Sequence, residues 1–170
     1  TSRSAVMSSR GDSFSFESVV GYAKDLIGHQ LLKADYLVGD EVLNYSFLDC
    51  KYPLKDGVIK QESGFDYDSA RKLIQHAVEL VKPNKDEQVC AIIGVPANAS
   101  KVNQKLLLKL ARDYLDIAMV VSEPFMVAYG LQQLNNAIIV DIGAGTIDLC
   151  AMKGHLPEIK DQFSIAKAGN

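Results

Sequence analysis

The residues best suited to chemistry lie together in one stretch, Asp141-Ile142-Gly143-Ala144-Gly145-Thr146-Ile147-Asp148. An apolar run, Ala137 to Ile142, delivers an acid to a Gly-x-Gly-Thr turn. Glycines let the backbone turn tightly and bring its N–H groups close to an anion. An acid at the mouth of such a turn suits Mg²⁺ held through water, because that ion keeps much of its hydration shell. The pattern therefore points to phosphate, with Asp141 on the metal side. The plain alternative is a hairpin turn, in which Gly-x-Gly is common.

Two other phosphate loops fail here. A dinucleotide-binding loop must open a helix whose N-terminus holds the pyrophosphate. Instead Thr146-Ile147-Asp148-Leu149-Cys150-Ala151 alternates polar and apolar, which is a strand pattern, and Asp148 stands where a third glycine is needed. A P-loop fails because no Gly-Lys-Ser/Thr follows.

A second carboxylate should return to the same edge. Glu123 follows the apolar run Ile117 to Val121, and Pro124 suits the first turn of a helix. A helix of roughly ten residues covers about 15 Å, and the strand back to Asp141 covers about 16 Å. Glu123 and Asp141 are thus expected at one edge, where open α/β folds bind ligands. The helix dipole would favour ionised Glu123, which could orient a water for attack on phosphate. The simpler role is that of a helix-start residue.

The elements that position these groups follow from the pattern. Short runs at Ser4–Ser9 and Phe14–Val20 around Arg10-Gly11-Asp12 predict a hairpin. Residues 21–49 show no clear period and read as a small, partly helical insert. Apolar spacing predicts helices at about 68–81, 101–114 and 124–133. Continuous apolar runs predict buried strands at 89–95, 117–121 and 137–142, and further strands follow at 146–153 and about 161–167. Helices between the three buried strands imply that these run parallel. The order predicts an α/β fold with a mixed sheet.

Composition sets bounds. In 170 residues, 48% are hydrophobic and 23% charged, the balance of a globular protein. A net charge of −3 argues against a nucleic-acid binder driven by bulk electrostatics. Cys50, Cys90 and Cys150 share no short spacing and read as reduced thiols, with Cys90 and Cys150 expected buried in apolar runs. His29, His76 and His155 are too scattered for a zinc site. No 18-residue apolar run predicts a membrane span. A start at Thr1 rather than Met suggests a piece of a longer protein.

Together these motifs carry a family resemblance. Asp141 to Asp148 resembles the second phosphate motif of the actin superfamily of actins, heat-shock chaperone ATPases and sugar kinases. Glu123 to Gly130 looks like the connecting helix of bacterial actins, and Pro53-Leu54-Lys55-Asp56-Gly57-Val58-Ile59 is similar to a signature of the rod-shape actins. Gly94-Val95-Pro96 resembles a strand end shared across the superfamily. Ser18 to Tyr22, Val121 to Met126 and Lys167 to Asn170 extend the likeness to the bacterial actins that form filaments along magnetosome chains.

The resemblance implies an actin-like, ribonuclease H-like α/β fold, a mixed five-stranded sheet with flanking helices and a small inserted subdomain. It implies a cytoplasmic, cytoskeletal ATPase that uses ATP and Mg²⁺ and polymerises alongside magnetosomes. Its partners would be its own filament subunits and magnetosome-associated proteins, with no nucleic acid and no direct membrane insertion. By carry-over, Asp141 is the Mg²⁺-linked acid, and Gly143, Gly145 and Thr146 contact the β/γ-phosphates. Glu123 positions the hydrolytic water, Asp148 is a lesser candidate on the same rim, and Thr1 is the last residue of a first phosphate motif. Residues 1–12 and 51–167 correspond to subdomain IA, 13–50 to IB, and 168–170 to the entrance of a second lobe. A half-cleft is not expected to turn over by itself. The competing readings are a cell-shape actin of the rod-shape type and a truncated, non-catalytic interaction domain.

Overall fold

The computed structural model describes residues 2–143 and 145–166. Thr1, Ala144 and residues 167–170 therefore lie outside the described residues, as do the expectations placed on Thr1 and on 168–170. The chain divides into two compact units, one of residues 2–54 and 59–89, the other of 55–58 and 90–170 with residue 1.

In the first unit, β1 (Arg3–Met7) and β2 (Ser13–Glu17) form the expected antiparallel hairpin, with Gly11 at φ +93 in the turn. The stretch without clear period holds β3 (Val20–Ala23), α1 (Leu26–Leu32), β4 (Tyr36–Val38), a 3₁₀ turn and β5 (Leu48–Lys51). The three strands pair in the order β4-β3-β5, both ladders antiparallel. The hairpin β6 (Leu54–Lys55) and β7 (Val58–Ile59), whose residues 55–58 belong to the other unit, precedes α2 (Gly64–Val81). Ser63 and Asp66 close a capping box at its start, which sets the helix four residues earlier than periodicity indicates. Phe16, Val20 and Leu73 centre the core of this unit, and Val19, Val42 and Leu48 form a second cluster. Lys72 lies over the rings of Tyr22 and Tyr36 and pairs with Asp68.

In the second unit, β8 (Cys90–Val95) runs parallel to β9 (Ile117–Ser122), joined by α3 (Lys101–Ala111). Ser100 caps α3 by accepting the Asn103 N–H. α4 (Glu123–Gly130) follows β9 directly. β10 (Asn135–Ile142), β11 (Thr146–Lys153) and β12 (Gln162–Ala166) form an antiparallel meander. Ala128 of α4 packs against Ile139, Cys150 and Met152.

The α/β character is as expected. Among the described residues the ladders group as β8-β9 and β10-β11-β12 rather than as one continuous five-stranded ladder. The runs predicted as fully buried strands each open one face: Ile92 is 62% exposed, Ile117 58% and Ile138 72%. Apolar continuity does not distinguish a strand covered on both faces from one covered on a single face. Cys90 is likewise exposed, because it opens β8 opposite exposed Ile117, whereas Cys150 is buried on the face that α4 covers.

Candidate functional site

Strand periodicity places the carboxylates. Along β11 the burial alternates, so Thr146, Asp148, Cys150 and Met152 share the inner face. The apolar half of that face packs on α4. The polar half, Thr146 and Asp148, lies at the end next to the Gly turn. Along β10, Asp141 shares a face with buried Ile139. Asp141 and Asp148 are direct cross-strand partners in the antiparallel ladder. Like charges directly opposite each other weaken a sheet, so this pair is a cost that packing alone does not explain.

The Gly turn that joins them is tight. The Gly143 N–H donates to the Thr146 carbonyl at 2.9 Å. A Cβ on Gly143 would lie 3.8 Å from the Thr146 hydroxyl, which places that hydroxyl beside the turn. Asp148 is 1% exposed, and its Oδ1 accepts the Ala97 N–H at 2.9 Å. That bond ties β11 to the chain leaving β8 at Val95-Pro96. Nothing in the spacing of Ala97 and Asp148 announces it.

Glu123 is half-buried at the first position of α4. Its Cγ lies 3.3 Å from where a Cβ on Gly94 would be, and the Met126 sulfur lies 2.8 Å from the same point. Only glycine at 94 leaves room for both side chains. Burial, then the charges of Asp141 and Asp148, push the Glu123 carboxyl up from 4.5 to about 7. The structure thus brings Glu123, Asp141 and Asp148 into one electrostatic neighbourhood. The shift runs against the helix dipole, which favours the ionised form. An N-terminal dipole supplies about 0.3–1 kcal/mol, less than burial and two like charges cost here.

Among the described residues, no group of three or more His, Cys, Asp or Glu could hold a metal ion. The donor chemistry here, Asp141 at the mouth of a turn with Asp148 already tied to the Ala97 N–H, suits an ion that keeps its waters and takes its other ligands from phosphate. Mg²⁺ fits that description, and an all-protein metal cage does not. Among the described residues, no helix is long and apolar enough to cross a membrane.

Comparison with known proteins bears on this geometry. The family model described as MreB/Mbl protein matches residues 34–170. The chain is 54% identical over 171 residues to the actin-like protein MamK of Magnetospirillum gryphiswaldense, covering 100% of this chain and 48% of that relative. A solved MamK double helical filament superposes with a TM-score of 0.94 at 54% identity, over 99% of this chain and 52% of that one. A non-polymerising MamK mutant bound to AMPPNP gives 0.85 at 54% identity, again over 99% and 52%. The chain spans about half the length of the relatives it matches.

Proposed function

We propose that this chain, which belongs to the MreB/Mbl family and has the actin-like α/β fold, is the first lobe of a filament-forming ATPase. The Gly turn of residues 143–146 holds the β/γ-phosphates, with the Thr146 hydroxyl as a further donor. Asp141 holds Mg²⁺ through water. That ion, when bound, neutralises phosphate charge. Glu123 orients the attacking water and takes its proton. A carboxyl at about 7 is poised for that exchange near neutral pH. Asp148 fixes the backbone at Ala97 and lends its charge to Glu123.

The observation that carries this reading is the convergence of Glu123, Asp141 and Asp148 beside a glycine turn that closes two strands. Asp141 is the penultimate residue of β10, and Glu123 opens α4 directly after β9.

Residues 1–12 and 51–167 are read as subdomain IA, 13–50 as IB, and 168–170 as the entrance to a second lobe. The likeness to MamK supports a cytoskeletal filament that organises magnetosome chains, with its own subunits and magnetosome-associated proteins as partners. Sedimentation of the full-length protein tests this. Pelleting that requires ATP and Mg²⁺ is expected, and nucleotide-independent solubility at every concentration would overturn it. Co-sedimentation with liposomes separates a membrane-bound cell-shape filament from this one.

A further inference from the structure

The segment Pro53 to Ile59, distinctive in sequence, supplies none of the groups assigned to nucleotide or metal. Its hairpin turns through Asp56 at φ +50 and Gly57 at φ +76. Two left-handed residues between paired strands make the two-residue turn that Asp-Gly favours. The turn accounts for the backbone angles but not for what the tip touches.

The tip meets the phosphate turn at Gly145 and the segment leaving β8 at Pro96. Asp56 Oδ1 lies 3.3 Å, and its Cα 3.7 Å, from the point where a Cβ on Gly145 would sit. A Cβ on Gly57 would meet Pro96 Cγ at 2.1 Å. Pro96 immediately precedes Ala97, whose N–H holds Asp148. Residues 55–58 belong to the same compact unit as the Gly turn, although the chain on either side of them does not. Glycine at 145 and at 57 permits this approach, since a side chain at either position would push the hairpin tip away.

A half-buried carboxylate therefore lies against the backbone expected to hold an anion. An anion held on that backbone would share its neighbourhood with this carboxylate, and like charges repel more strongly where protein replaces water. ATP carries an adenosine part and further phosphates that can offer contacts of their own. Free phosphate has no such contacts and feels it most.

We propose that Asp56 sets how long product phosphate stays on the Gly turn: its carboxylate opposes the anion and hastens its departure. This rests on the nucleotide reading above. No bond is made or broken in the step, which is the dissociation of phosphate already formed from ATP and water.

The test uses the full-length protein with Asp56→Asn and Asp56→Gly. Asn tolerates the left-handed conformation as Asp does, and Gly removes the side chain altogether. Single-turnover cleavage is followed by acid quench, and release by a fluorescent phosphate reporter. Inhibition by added inorganic phosphate is measured in parallel. Both variants should lower the ratio of release rate to cleavage rate about tenfold and bind inorganic phosphate about tenfold more tightly, which corresponds to about 1.4 kcal/mol. An unchanged ratio with unchanged phosphate affinity overturns the assignment, and so does weaker phosphate binding in both variants. If the wild-type protein cleaves no ATP, the nucleotide reading falls first and this inference falls with it. A wild type that cleaves beside variants with a normal ratio isolates the failure to Asp56.

Discussion

Replacing Glu123 by Gln should stabilise the protein, and only above a defined pH. In the fold the carboxyl is pushed up from 4.5 to about 7, first by burial and then by Asp141 and Asp148. A group whose folded pKa is raised binds its proton more tightly in the native state. Its favourable contribution is complete below the unfolded value and is lost as pH rises through the folded one. At pH 8 Glu123 is ionised in both states, and only the folded state bears the repulsion. Near pH 5 the native carboxyl is neutral and most of the penalty is gone. Each tenfold gain in proton affinity on folding is worth about 1.36 kcal/mol. Because the carboxyl is only half-buried, solvent screening reduces the whole effect to about 1–2 kcal/mol. For a chain of this size that amounts to a rise in Tm of about 2–8 °C for Glu123→Gln at pH 8. The assay is thermal unfolding of both proteins, without nucleotide or Mg²⁺, at half-unit steps from pH 5 to 8.5. The two curves should converge as pH falls. Parallel pH dependences, or a Gln variant less stable at pH 8, would refute this reading of the electrostatics.

Other consequences can be checked by denaturation. Asp148→Ala leaves the part-buried Ala97 N–H without its acceptor and should cost about 1–3 kcal/mol in urea unfolding, while Asp148→Asn keeps an acceptor oxygen and should cost less. Gly57→Ala combines a left-handed φ of +76 with a 2.1 Å approach to Pro96, so a loss of about 2 kcal/mol or more is expected from the shift in urea midpoint. Gly94→Ala meets the flexible Met126 side chain rather than backbone, so a smaller loss of about 1 kcal/mol is expected, relieved by Met126→Ala.

How far the sequence foretold these features depends on how local their causes are. β11 occupies 146–153 as expected, because alternation and the preceding glycines both act over neighbouring residues. The strands β3, β4 and β5 leave no such mark: each spans only three or four residues, too few to establish a period. The apolar runs marked strands correctly but not the open faces of Ile92, Ile117 and Ile138, since coverage depends on which helices pack where. At the site, the glycines and Asp141 were legible as a motif, and the nearness of Glu123 to Asp141 was foreshadowed by element lengths. The upward shift of the Glu123 carboxyl was not legible. The dipole of α4 can be read from sequence, whereas burial and two neighbouring charges arise only in the fold. Asp148 bonds a residue 51 positions away, and Asp56 meets Gly145 across more than half the chain; neither approach leaves a local trace.

The central claim is that Glu123 serves cleavage of a nucleotide held by the Gly turn. Its most direct test is ATP affinity and single-turnover cleavage in the full-length protein, wild type beside Glu123→Gln, with Mg²⁺ at pH 8. Affinity should stay within about threefold, while cleavage falls about 10²–10⁴-fold, the range of a lost general base. A Gln variant that binds ATP and cleaves it at the wild-type rate would contradict the account.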